Sequence, residues 1–173
     1  MNKHSTTTNL SALRNSGFGI LEALIASAII VVFAAGVVVL GKISLRNVVI
    51  NKHKLQAAYL AQEAVEALRN IRDTNWVDND PNTNWDNGLP TGEKQGVFLK
   101  TTGSVKKWEV KSNVDQFNLN NTVFTREIRI RRYPAINSLD QKTIGVQVIV
   151  SWNDYGKQRN VTINSYITDW MSY

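Results

Sequence analysis

Ala23 to Leu40 is a run of 18 residues without a formal charge, and the chain around it changes periodicity three times. At about 1.5 Å per residue such a run makes a helix about 27 Å long, close to the thickness of a bilayer's hydrocarbon core. It is rich in Ala, Val and Ile, with Gly36 as its one helix-weakening residue. Small residues (Ala26, Ser27, Ala28, Ala34, Ala35, Gly36) would let another helix approach closely. From Lys42 to Asp73 there is neither proline nor glycine, and Leu55, Ala58, Ala61, Val65 and Leu68 recur in steps of three and four. That spacing predicts an amphipathic helix continuing from the apolar one, with Lys52, Lys54, Gln56, Gln62, Glu63, Glu66 and Arg69 on its outer face.

The next segment, to Gly96, is dominated by Asn, Asp, Thr, Gly and Pro, which is turn chemistry spread over a long loop. Trp76 and Trp85 are expected to tack it down. Alternation then takes over. Val97 to Thr101 and Lys107 to Lys111 read as short strands around Thr-Gly-Ser. Thr122 to Arg132 sets Phe124, Ile128 and Ile130 against Thr125, Glu127, Arg129 and Arg131. Ile144, Val146, Val148, Val150 and Trp152 form a clean period-two face. Val161, Ile163 and Ile167 sketch its partner across Asn153-Asp154-Tyr155-Gly156, a hairpin signal. The predicted fold class is therefore α+β: a long N-terminal helix, transmembrane in its first half and amphipathic in its second, packed on a C-terminal antiparallel sheet.

Composition changes this picture little. The 173 residues suffice for one modest domain plus a membrane helix, and there is no second domain or internal repeat. No cysteine is present, so packing must hold the sheet domain without a disulfide. Net charge is +6. Basic residues flank the apolar run on both sides (Lys3 and Arg14 before it; Lys42, Arg46, Lys52 and Lys54 after it), so the positive-inside rule does not decide orientation.

The segment before the apolar run carries the sharpest signal. Met1 to Ser16 is polar, with Lys3 and Arg14 and no acid, and is followed by Gly17-Phe-Gly-Ile-Leu-Glu22. A secretory signal peptide places its small-residue cleavage site after the apolar core; here the glycine stands before it. A carboxylate at the lip of a membrane span is expensive, so Glu22 needs a partner not obvious within the chain. This arrangement resembles the class III signal of type IV pilin-like proteins. The resemblance implies cleavage after Gly17 by prepilin peptidase, N-methylation of Phe18 as the new terminus, and pairing of Glu22 with the terminal amine of a neighbouring subunit. Gly19 stands where threonine is commoner in the family, and no proline interrupts the apolar stretch. The hairpin from Lys142 to Trp170 is similar to the last hairpin of minor pilins and of I-type pseudopilins.

The expected divisions are a leader at 1–17, a transmembrane and assembly helix at 18–41, an amphipathic helix at 42–73, an Asn/Asp-rich loop at 74–96 and a sheet head at 97–173. The expected function is that of a structural subunit of the minor kind, in a type IV pilus or a secretion pseudopilus. Its partners would be prepilin peptidase, other pilin-like subunits and the inner membrane, with the head outside the cytoplasm and later in an extracellular or periplasmic filament. Loss of the leader takes away Lys3 and Arg14, leaving 18 basic and 14 acidic side chains. The rival expectation is a ligand-binding sheet domain that is either held by an uncleaved single-pass anchor or exported after a cut by conventional signal peptidase near Ala34 or Ala35.

Other chemistry has less to stand on. With only His4 in the leader and His53 among lysines, no catalytic constellation assembles, and neither an enzyme nor a small-molecule substrate or cofactor is expected. His53 is read as a solvated helix residue. Asp78, Asp80, Asn82, Asn84 and Asp86 alternate like the start of a calcium loop, but Thr83 occupies the glycine position and Leu89 the final glutamate position. Turn-forming Asx residues are the preferred reading, and no metal site is assigned. Arg126, Arg129, Arg131 and Arg132 with Lys106, Lys107 and Lys111 could make a DNA strip, for an uptake filament; a solvated sheet face is favoured. Arg126, on the apolar parity, is taken as an edge or end effect.

Overall fold

The computed structural model describes residues 19–78, 83–132 and 143–170. Gly17 and Phe18, with the leader, lie outside the described residues. The chain divides into two compact units, Met1–Arg46 and Asn47–Tyr173. One helix, α1, runs from Ile20 to Val77, 58 residues. Its first turn opens with Gly19, whose carbonyl accepts the amides of Glu22 and Ala23 (2.9 and 3.1 Å).

In the first unit the described helix, to Arg46, buries nothing. Ile20, Val32 and Phe33 are among a continuous set of exposed apolar side chains extending to Leu45. A helix apolar on every side has no preferred face, which suits a surround that is itself apolar. The helix is long and apolar enough to cross a membrane once.

In the second unit the same helix is amphipathic, but its buried stripe is not the one the sequence suggests. His53, Ala57, Leu60, Ala61, Ala64, Val65, Ala67, Leu68 and Ile71 are buried. Leu55 is 56% exposed and Ala58 half-buried, so the predicted stripe is right at Ala61, Val65 and Leu68 and wrong at its start. Alanines sit on the inner arc because small residues let the helix axis come close to the sheet, and a count of large apolar residues undervalues them. The helix also outlasts its predicted end at Asp73. Thr74 Oγ1 donates to the Asn70 carbonyl (2.8 Å), and the Asp78 amide donates to the Thr74 carbonyl (2.9 Å).

Among the described residues six antiparallel strands follow: β1 (Gly92–Thr102), β2 (Val105–Lys111), β3 (Asp115–Leu119), β4 (Thr122–Arg132), β5 (Thr143–Asp154) and β6 (Lys157–Thr168). Their order is β2-β1-β4-β5-β6, with β3 also on β4. β4 shares one flank between β3, which pairs Thr122 to Arg126, and β1, which pairs Ile128 and Ile130. β3 is not among the strands that alternation predicts. Its signal was the Asn120-Asn121 pair, two residues that tolerate left-handed backbone and here sit at φ 51° and 64° between β3 and β4. Tyr155 (φ 49°) and Gly156 (φ 77°) turn β5 into β6 in the expected hairpin, with Asp154 paired to Lys157.

The core lies between helix and sheet. Phe124, Ile128 and Ile130 of β4, Ile144, Val146, Val148, Val150 and Trp152 of β5, and Ile167 of β6 are buried on the same side as the helix stripe. The observed architecture is the α+β arrangement expected, a long N-terminal helix packed on an open antiparallel sheet.

Candidate functional site

Glu22, in the first turn of α1, is solvent-exposed, and among the described residues no cation pairs with it. A carboxylate there favours the helix, since the unsatisfied amides of a first turn carry partial positive charge. That supplies fractions of a charge, not a counter-ion. Of the three residues the sequence singled out, Glu22 alone is described.

The second unit holds two buried polar networks, at Arg126 and His53, where the sequence predicts exposure. Arg126 is not an edge effect. It is 1% exposed, in the middle of the apolar row of β4. Its Nη2 lies 2.7 Å from Asp115 Oδ2, and its Nε donates to the same oxygen (2.8 Å). Nη1 donates to the Leu60 carbonyl of α1 (2.9 Å) and Nη2 to the Val97 carbonyl of β1 (3.3 Å). The exposed Glu63 stands 3.5 Å away. One guanidinium thus joins helix, β1, β3 and β4. Burial pushes the Asp115 carboxyl up, against the opposing hydrogen bond and charge of Arg126. Asp115 Oδ1 is buried without a hydrogen-bond partner. Close beside it is Gly96, where any Cβ would collide with that oxygen and with the Asn113 carbonyl, so a side chain cannot be accommodated.

His53 is not solvated. It is buried, its Nδ1 2.7 Å from Asp154 Oδ1 at the β5–β6 turn, its ring edge-on to Phe124 (centroids 5.9 Å apart). Trp152 Nε1 donates to the other oxygen of Asp154 (2.9 Å). Burial pushes Asp154 upward, but the hydrogen bonds from Trp152 and His53 and the charges of His53 and Arg159 outweigh it, and its pKa falls below the usual carboxylate range. Helical periodicity carried a hint: His53 leads Ala57, Leu60, Ala61 and Ala64 around one arc. Chemically this arrangement is a tether between helix and hairpin tip.

The candidate basic strip is largely neutralised. Arg129 pairs with Glu127 (2.7 Å), Arg131 with Glu93 (2.8 Å), Lys107 with Asp78 (3.2 Å), Lys111 with Glu109 (2.5 Å), and Arg132 with Asp86. With Arg126 buried, the remaining cations interleave with acids instead of forming a single-sign track. Two of the candidate calcium ligands, Asp78 and Asp86, are thereby engaged by cations; Asp80 and Asn82 lie outside the described residues. Among the described residues there is no group of three or more His, Cys, Asp or Glu fit to hold a metal.

The Asx-rich connection is tied down, though not by Trp76. Asn75 Nδ2 donates to the carbonyls of Trp85 and Asn87 (3.0 and 2.8 Å), and Trp85 packs against the core. Trp76 instead meets Trp170 edge-on (5.0 Å), lies under Arg72 and donates to Asp169 (3.2 Å), fixing the two residues that immediately follow β6.

No protein-family model, curated protein or solved structure matches this chain.

Proposed function

We propose that this chain is a structural subunit, of the minor kind, of a type IV pilus or secretion pseudopilus. On this reading prepilin peptidase cuts after Gly17 and methylates Phe18, and the subunit assembles through its apolar helix. The observation that carries the proposal is the union of two features: the Gly17-Phe18…Glu22 signal, and directly behind it a helix apolar on every side whose described residues bury nothing to Arg46. In hydrocarbon, a carboxylate and an ammonium that are each costly alone become tolerable together. Glu22 lacks a cation among the described residues, and a neighbouring subunit's methylated amine would supply one. The pair would fix the register between subunits, while close helix packing supplies the attraction.

Before assembly the subunit is a single-pass inner-membrane protein with its sheet domain outside the cytoplasm; afterwards it belongs to a periplasmic or extracellular filament. The interleaved ion pairs on the sheet domain favour a structural role over a DNA-binding one.

The test is the intact mass and N-terminal residue of protein taken from membranes of cells that contain prepilin peptidase. The expected chain begins at Phe18 and carries one extra methyl group. A chain beginning at Met1, or just after Ala34 or Ala35, would sink the proposal in favour of an anchored or exported domain. Glu22→Ala is expected to be processed normally yet lost from filaments; unchanged incorporation would remove Glu22 from the assembly mechanism.

A further inference from the structure

Three segments of the second unit meet at one end of the sheet domain: the start of its part of α1, the β3–β4 turn and the β5–β6 turn. His53 contacts Asp154 beside the β5–β6 turn and lies against Phe124, and the β4–β5 register sets Phe124 opposite Trp152. Charge is distributed unevenly there. The helix has no acid from Asn47 to Gln62, nor has the chain from Gln116 to Arg126 or from Tyr155 to Thr168. Asp154 is the one carboxylate beside these segments. It is buried, held by His53 and Trp152, with Arg159 Nε 3.5 Å away, so it presents no negative charge at the surface.

The lysines at this end are unanswered. Lys52 and Lys54 flank His53 on the helix, each turned about 100° from the contact, one to either side. Lys157 closes the β5–β6 turn. All three are exposed, and none forms an ion pair among the described residues. Elsewhere on the domain Lys100, Lys107 and Lys111 pair with acids. Tyr155 stands at the tip of the turn, 58% exposed, and its φ of 49° is costly for a large side chain where asparagine or glycine would fit with less strain. Backbone strain held at an exposed tip points to a use for the side chain. A ring with an apolar body and a polar hydroxyl suits the boundary between hydrocarbon and water.

Charge and connectivity together select the partner. Gly41 to Arg46 alone link the apolar run, which ends at Leu40, to Asn47, so the chain keeps the first residue of the second unit within about 25 Å of that run whatever its conformation. A surface so near is met at high effective concentration, and weak contacts suffice. Each lysine close to anionic headgroups favours a docked state by about fivefold, and the three together by about a hundredfold. We propose that this end of the sheet domain docks on the anionic headgroups of the membrane that carries the apolar helix, with Lys52, Lys54 and Lys157 against lipid phosphates and Tyr155 at headgroup depth. The proposal rests on the single-pass part of the reading above and on nothing about how the N-terminus is processed. A docked domain presents one fixed side to whatever it assembles with, and the anionic lipid content of the membrane sets how much of it is so held.

The full chain, one copy per lipid nanodisc, tests this. Discs of phosphatidylcholine are compared with discs of equimolar phosphatidylcholine and phosphatidylglycerol, each doped with a little lipid bearing a paramagnetic headgroup. The readout is paramagnetic broadening of backbone amides. In the anionic discs Tyr155, Gly156 and Lys157 should broaden about fivefold more than in the neutral ones, while Ile128 and Val148 in the core of the sheet stay unchanged. Salt at about 0.5 M should remove the difference. Lys52→Gln, Lys54→Gln and Lys157→Gln combined should also remove it, and the same three changes to arginine should preserve it. Tyr155→Asn, which suits the turn better, should keep the fold and lessen the broadening. Equal broadening in both kinds of disc, or a difference that survives in the triple glutamine variant, would overturn the proposal. So would broadening that needs two chains in one disc, which would assign this end to a second copy. A chain that failed to enter the discs would overturn the single-pass reading and this proposal with it. Failure of the pilin assignment, by contrast, leaves every one of these expectations in place.

Discussion

The two parts of α1 share a backbone and differ in what surrounds them. From Ile20 to Arg46 nothing is buried; in the second unit Ala57, Ala61, Ala64 and Leu68 are sealed completely. The first part is the more hydrophobic, so burial does not follow hydrophobicity along this helix. It follows pattern. Apolar residues on every side leave no polar face for water, whereas a narrow stripe among charged residues fits one sheet face. The comparison teaches that the sheet domain selects its helix partner by shape and periodicity, and leaves the greasier segment for another environment.

The contrast breaks most severely at Arg126. Arg126→Ala would leave Asp115 as a buried, unpaired charge and should cost the second unit about 3–5 kcal/mol in denaturant unfolding. Replacing both partners, Arg126→Met with Asp115→Leu, should recover most of that loss. If the single and double variants were equally unstable, the pair would not be what holds helix, β1 and β3 together.

A matched pair of truncations sharpens the comparison directly. Leu68→Ala opens a cavity under the sheet and should lower stability by about 2–5 kcal/mol. Val32→Ala, in the exposed apolar part, should leave the unfolding of the second unit within about 0.5 kcal/mol of the original. Equal effects would mean that the two parts are not energetically distinct.

His53→Ala removes one hydrogen bond from a buried carboxylate, at an expected cost of about 1–3 kcal/mol at neutral pH. This effect should depend on pH. Asp154 has its pKa depressed in the folded chain, so its contribution is present above the unfolded carboxyl value, near 3.9, and is lost as pH falls through the folded one. Asp115 has the opposite sign. Its raised pKa favours folding in acid, and that contribution is lost as pH rises through the folded value. Unfolding followed by circular dichroism between pH 5 and 3 should therefore fall less steeply in His53→Ala than in the original chain. A slope unchanged by the substitution would show that His53 does not support the Asp154 carboxylate.

The smallest effect belongs to Leu55, which the periodicity placed in the core and the structure leaves 56% exposed. Leu55→Ala should shift the unfolding midpoint by no more than about 0.5 kcal/mol. A core-sized loss would restore the predicted stripe.

These cases also mark how far the sequence can be read. The apolar span, the long helix and the alternating faces of β4, β5 and β6 were legible because each repeats one local rule over many residues. β3 was missed because five residues around two asparagines give period-two analysis too little to count. His53 and Arg126 were misassigned for a common reason. Polar type argues for exposure, and only partners distant in sequence, Asp154 and Asp115, make burial affordable. Parity alone hinted at Arg126. Among the candidate functional residues, Glu22 could be singled out from sequence since a charge beside an apolar run is a local anomaly, while Lys52, Lys54 and Lys157 become one group only where the helix start meets the β5–β6 turn.

By itself, then, the sequence determined the elements that local periodicity and hydrophobicity encode: a membrane-length helix, its amphipathic continuation and a final hairpin, beside a resemblance to a prepilin signal that carries only the proposal. Tertiary structure decided which arc of the helix is inside, which charges are buried and which strand ends the sheet. Those outcomes depend on residues brought together from 11 to 101 positions apart, as in Arg126 with Asp115 and His53 with Asp154. No local pattern contains that information, because the free energy of burying a charge is set by its partner and not by its neighbours in the chain.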